Sequence, residues 1–364
     1  MSPLVLALVS GGASFCVALP LLPLVRLVAR RRGWFDPPNH RKLHVGQITH
    51  LGGVAIFLAF AFVVVTLGAF SSLYSPRLAF LLLGAFTLHL IGLVDDLKNL
   101  RALPRLLAHL VIASIVASGG FVLRSITLPG LGTLHLGIAA YPVTVIWIAG
   151  VVNALNWSDG MDGYAGGISF FAVLGMGVIG LIEGSAITTT VSFALLGAIL
   201  AFLFLNYPPA RIFMGDNGAT FIGFILAVLP FVDEGSPVQG VRLTAMAVML
   251  LVPLLDLVMS IVRRTLRGKS PGSPDRGHIH HRLQDTGLTP RQVLAVVYPL
   301  CAYLVLIGVS IAHPPAWIPR AVIVAAFVAT VALAVLFAVI LVSPSIGPRR
   351  NPDTGPERTE RRAG

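Results

Sequence analysis

The chain has 364 residues, 56% of them hydrophobic and 11% charged, with a mean hydropathy of +0.87. That balance excludes an ordinary soluble domain and makes the bilayer the solvent. A net charge of +11 would suit a nucleic-acid binder, but the charges fall in loops between apolar runs, which excludes that class and reads as membrane topology.

The apolar runs predict an all-α polytopic membrane protein with about eleven transmembrane helices, over 3-25, 51-70, 78-95, 105-121, 139-156, 165-183, 187-205, 218-233, 241-262, 292-312 and 320-342. Residues 1-342 are expected to form one membrane domain, and 343-364, rich in Pro, Arg and Glu, a disordered tail. The first run carries its positive charges after the apolar stretch, the reverse of a signal peptide, so it is expected to stay as a span. Cys16 and Cys301 imply neither a disulfide framework nor a Cys-based metal site. All but four of the 26 Lys and Arg residues fall in the tail and in the loops after odd-numbered spans, the exceptions being Arg77, Arg124, Arg242 and Arg320. The positive-inside rule makes that side cytoplasmic, with the N-terminus outside and the C-terminus inside.

Along the chain, 30-50 reads as a basic loop in which Pro37-Pro38 forces a turn, ending at Gly52-Gly53. Asp95 and Asp96 close the third span. Neighbouring helical residues diverge by about 100°, so one carboxylate can face a site while the other braces a neighbour, unless the pair is only an acidic helix end. Around Pro129-Gly130 the segment 121-137 alternates apolar and small residues, which predicts a small hairpin at the outer surface.

Asn153 and Asn156, then Asp159 and Asp162, lie three apart, and a helical turn would put each pair on one face. Capping alone accounts for one Asn and one Asp, not for four. Asp216 stands between Gly215 and Gly218, a setting that suits an oxygen ligand of Mg²⁺. Phe213 beside it is either a base-stacking ring or an interface aromatic. The longest hydrophilic stretch, 263-291, reads as a loop that carries function. It holds His278, His280, His281 and Arg282, better suited to anionic oxygens than to zinc, for which no cysteine completes the shell. Arg105, Lys42 and His44 add cations on the same side.

Every cluster falls on that one side. Carboxylates for Mg²⁺ beside cations for phosphate oxygens are what phosphoryl transfer uses, and the membrane setting makes one substrate a lipid. An ion-coupled transporter would instead predict charge near mid-membrane and related halves. A membrane scaffold would leave the clusters unexplained.

The motifs Asp36-Pro37-Pro38-Asn39-His40-Arg41-Lys42-Leu43-His44, Gly52-Gly53, Asp95-Asp96, 153-163, Phe213-Met214-Gly215-Asp216 and Pro274 to Arg282 resemble, in order, the polyprenyl-phosphate N-acetylhexosamine-1-phosphate transferase superfamily. The His-Ile-His-His form is similar to the WecA/TagO-like branch rather than to MraY. The resemblance implies helices around a cytoplasm-facing cleft in a bacterial inner membrane. It implies transfer of N-acetylglucosamine-1-phosphate, or a related N-acetylhexosamine-1-phosphate, from a UDP-sugar to undecaprenyl phosphate, and it admits a homodimer. It makes Asp216 the Mg²⁺ ligand, with Mn²⁺ tolerated, and Asp95 with Asp96 the catalytic pair. Lys42, Arg105, Asn156, Asp159, Asp162, Phe213, His278, His280, His281 and Arg282 are then nucleotide-sugar residues, Phe213 stacking near uracil.

Overall fold

The computed structural model describes residues 1–34, 48–70, 75–233, 235–236, 238–268, 270 and 277–342, without the side chains of 337–342. The whole 36–44 motif with Lys42 and His44, residues 274–276 and the expected tail therefore lie outside the described residues.

Helix α1 (Pro3–Arg32) opens with the Ser2 side chain accepting from Val5 N and with Pro3 in its first turn, where proline's missing N–H costs nothing. It runs past the expected end at 25, through Pro20 and Pro23, to Arg30, Arg31 and Arg32 and a left-handed Gly33. There follow α2 (Gly52–Phe70), α3 (Pro76–Lys98) and α4 (Ala102–Ser118). Strands β1 (Ser125–Leu128) and β2 (Gly132–His135) pair antiparallel, Ser125 opposite His135, as the predicted hairpin. Then come α5 (Ala140–Ser158), α6 (Tyr164–Glu183), α7 (Ala186–Asn206) and α8 (Gly215–Val228), which tightens into a 3₁₀ turn over Leu229–Phe231. The chain continues as α9 (Gln239–Met249), α10 (Leu251–Leu266), α11 (Ile279–Asp285), α12 (Pro290–Ala312) and α13 (Arg320–Val342).

Each expected span is occupied by helix, but the lengths differ from the expectation of eleven. Seven described helices are long and apolar enough to cross a bilayer, eight if α9 and α10 count as one, while α4 and α8 are shorter apolar helices. The ninth expected span is broken: α9 and α10 meet at 71°. Pro253 explains the break, because it has no N–H for the carbonyl of Met249 and its ring crowds that carbonyl. The stretch 263-291 is also not a simple loop, since α10 continues to Leu266 and α11 forms inside it.

Helix α8 is the axis of the bundle. Every residue in it except Asp216 is buried, and a helix apolar on all sides belongs in a core. Helices α3 and α5 flank it, and α1 packs along α7. Close approach is made possible by glycine: a Cβ on Gly92 of α3 would lie 2.4 Å from Asp216 O.

At the end of the bundle formed by the C-terminus of α6 and the N-termini of α7 and α9, Arg242 donates to both Glu183 and Asp233. Asp233 also accepts from Ser185 and Thr188, and Glu183 lies 2.9 Å from His313 Nε2. Arg77 donates to Gly120 O and Phe231 O. Two of the four basic residues outside the charge pattern are thus internal ties between helices, and the buried Arg242 is paired as a buried charge must be.

Candidate active site

At the opposite end, four carboxylates converge on the start of α8. Asp95 and Asp96 are in the last turn of α3. The geometry bears out their divergence: Asp95 Oδ2 accepts from Arg105 Nη1 at 2.6 Å and its Oδ1 from Leu100 N at 2.7 Å. Asp96 turns the other way and accepts from Asp216 N at 2.9 Å, Asn217 N at 3.0 Å and the Asn217 side chain. Met214, at the N-cap of α8, has no side-chain cap bond, so Asp96 supplies from α3 the acceptor that the first amides of α8 require.

Asp216 therefore sits in the first turn of a helix, not in the loop between spans expected from sequence. Arg105 Nη1 donates to its Oδ2 at 3.0 Å and Asn156 Nδ2 to its Oδ1 at 2.6 Å. Arg105, near the start of α4, thus bridges Asp95 and Asp216. Asp159, at the C-cap of α5, accepts from Gly215 N at 3.1 Å. Loss of water, then the nearby Asp216 and Asp96 charges, push its carboxyl well above the usual range, against the Gly215 hydrogen bond.

The other members of the 153-163 cluster go elsewhere. Helix α5 ends at Ser158, so Asp159 and Asp162 do not share a helical face as expected. Asn153 donates to Ala149 O and lies 3.3 Å from His109 Nδ1 rather than joining Asn156. Asp162 is buried and accepts from Ala210 N, while Asn206 accepts from Gly163 N and donates to Ile212 O. These bonds tie the turn after α5 to the segment leading into α8.

That segment pairs with the residues before α2. Phe213 N donates to Thr49 O, while Gly52 N and Gly53 N donate to Phe213 O and Met214 O, all at 2.9 Å. The Phe213 ring packs at 5.1 Å from the His50 ring. Gly52-Gly53 thus belongs to the site as backbone.

The histidine cluster forms a second layer. His278 and His280 stack at 5.9 Å, and His280 lies 4.2 Å from the His281 ring. His280 is 1% exposed, packed against Tyr164 and over Gly160. Burial, then the His281 charge, push its pKa down to about 3, which disfavours its charged form. His281 and Arg282 are half-buried. Four contributors to the site have no role assigned from sequence: Trp157, with the Arg264 guanidinium 4.4 Å above it, Asn206, Asn217 and Asp256.

Four carboxylates share a single guanidinium, which bonds only Asp95 and Asp216, so the site is deficient in positive charge, and its acidic ligands are hard oxygens. Among the described residues no three acidic, His or Cys side chains are arranged to hold a metal ion by themselves, so protein groups alone would not fill a metal's shell. The donor set therefore fits Mg²⁺, which takes one or two carboxylates and completes its shell with water and phosphate oxygens.

The profile of glycosyl transferase family 4 matches residues 78–232. The chain is 34% identical over 286 residues to the probable undecaprenyl-phosphate N-acetylglucosaminyl 1-phosphate transferase of Bacillus subtilis, covering 78% of this chain and 79% of that one. It is 34% identical over 302 residues to the decaprenyl-phosphate N-acetylglucosaminephosphotransferase of Mycobacterium tuberculosis, 75% and 74% of the two chains. To the undecaprenyl-phosphate alpha-N-acetylglucosaminyl 1-phosphate transferase of Salmonella typhi it is 32% identical over 318 residues, 84% of each.

Proposed function

From the premise that the chain belongs to glycosyl transferase family 4, the superfamily of polyprenyl-phosphate N-acetylhexosamine-1-phosphate transferases, we propose how its acidic site works. The protein transfers N-acetylglucosamine-1-phosphate to a polyprenyl phosphate. The donor is UDP-N-acetylglucosamine and the acceptor undecaprenyl phosphate, giving UMP and a lipid diphosphate sugar. The observation that carries this reading is the network Asp95–Arg105–Asp216–Asn156 at the start of a buried helix.

Asp216 would hold Mg²⁺, which when bound neutralises charge on the diphosphate. Arg105 places a fixed cation beside it for a phosphate oxygen. Asp95, whose Oδ2 is held by Arg105, takes the remaining proton of the lipid phosphate or holds that phosphate in line. A lipid phosphate oxygen attacks the sugar-bearing β-phosphorus directly, the bond to the α-phosphate oxygen breaks, and UMP leaves with that electron pair. Phe213 and the His281–Arg282 edge of the histidine cluster close on the nucleotide sugar.

Mass spectrometry of the lipid formed by purified protein from UDP-N-acetylglucosamine and undecaprenyl phosphate tests the reading. The same preparation without lipid is expected not to exchange labelled UMP into the UDP-sugar. Exchange there requires a covalent carboxylate intermediate and overturns direct attack.

The site end faces the cytoplasm of a bacterial inner membrane in this reading, because the basic loops lie there. Single cysteines at Ser270 and Ser236, with Cys16 and Cys301 replaced, should label from opposite sides, Ser270 from the cytoplasm. Labelling of both from outside contradicts the orientation.

A further inference from the structure

Asp256 has no part in the reading above, yet it is 1% exposed within α10. A carboxylate buried so completely needs its oxygens filled, and both are. Oδ2 lies 2.9 Å from His278 Nδ1, and Oδ1 accepts from Ile279 N at 3.0 Å. An ionised carboxylate only accepts, so Nδ1 carries a proton. Nε2 is then the nitrogen left for a ligand, and no described residue hydrogen-bonds it.

The ring is held on its other sides as well. Ser260 Oγ, itself accepting from Arg263, lies 3.4 Å from Nδ1. Trp157 meets the ring edge-on at 6.0 Å, and Trp157 directly follows Asn156, whose amide donates to Asp216. His278 is thus wedged between α10 and the last turn of α5, the turn from which Asn156 reaches Asp216. In the neutral form of the ring, the proton on Nδ1 leaves Nε2 as a hydrogen-bond acceptor. What it matches is a donor group, and the nucleotide sugar offers hydroxyls and amide N–H groups.

We infer that Asp256 is a positioning residue that locks His278 so that Nε2 accepts a hydrogen bond from a hydroxyl or amide N–H of the nucleotide sugar. This rests on the proposed donor. Replacing Asp256 by Asn keeps the shape but reverses the pattern. Ile279 N–H can only donate, so the amide oxygen must face it and the amide nitrogen must face Nδ1. That moves the ring proton to Nε2 and turns the acceptor into a donor.

The test measures kcat/KM for UDP-N-acetylglucosamine with undecaprenyl phosphate. Asp256→Asn is expected to lower it ~10- to 100-fold, as loss of a ring-orienting carboxylate does elsewhere. In a His278→Ala background the same change should cost less than about 2-fold, because residues that act through one another are not additive. An equal cost in both backgrounds means that Asp256 only supports the Ile279 amide, and overturns the inference. So does parent or higher activity in Asp256→Asn, which a proton on Nε2 would favour if the ring met a phosphate oxygen.

Should Asp256→Asn not give a monodisperse protein, His278→Gln and His278→Asn decide. Gln places its amide near Nε2 and is expected to retain more activity, whereas Asn places its amide near Nδ1. The reverse order overturns the inference. Product formation by the parent protein tests the transferase reading separately.

Discussion

Asp216→Asn is expected to abolish turnover while leaving the protein folded. Asp216 is the carboxylate on which Arg105 and Asn156 converge, and the proposed ligand of Mg²⁺. Loss of that charge leaves the repulsion between lipid phosphate and diphosphate unrelieved. A deficit of ~4 kcal/mol in transition-state stabilisation is a factor of about 10³ in rate. Folding should survive, because Asp96 holds the backbone amide of residue 216 and not its side chain. Removing one of four crowded carboxylates also relieves like-charge repulsion, so thermal stability in detergent should stay level or rise. UMP release and a melting curve on the same sample check both halves. Near-normal Mg²⁺-dependent activity would remove Asp216 from the metal site.

Gly53→Ala should damage both stability and activity. A Cβ at Gly53 would lie 2.2 Å from Asn217 Oδ1 and 2.3 Å from the Gly218 backbone, and backbone cannot step aside as a flexible side chain can. Overpacking of this kind costs about 1–3 kcal/mol. It also pushes on the amides that Asp96 caps, so the rate should fall further than stability alone explains. Gly12→Ala is the control: it lies in α1 with nothing within 4 Å of its Cβ position, and alanine is the better helix former. Equal melting temperatures for the two variants would show that the contact between α2 and α8 yields easily.

The membrane class and most of the acidic site were legible because the bilayer makes polarity conspicuous. Asp95, Asp96, Asn156, Asp159 and Asp216 interrupt apolar runs, and carboxylates in such places ask for partners. Asp256 escaped notice for the opposite reason. It lies inside the expected span 241-262 as a lone acid, with no second polar group in register and no motif around it to mark a site. Its partners, His278 and Ile279, lie more than twenty residues further along the chain. The sharp turn between α9 and α10 had a visible signal in Pro253, hidden by a hydropathy pattern that runs straight through it. The separate fates of Asn153 and Asp162 were beyond spacing rules, since these depend on where α5 ends.

The bond between Asp96 and the start of α8 bears on how tightly the site can hold a cation. Because α3 fixes the first amides of α8 in the folded protein, Asp216 stands in position before any ion arrives, and little chain ordering is left for binding to bring about. What an arriving ion must displace is electrostatic: the guanidinium of Arg105, already resting on Asp216 at 3.0 Å. Affinity in such a site is governed by competition between two cations for one carboxylate, and the diphosphate, by drawing Arg105 onto its own oxygens, would make room for the metal that accompanies it.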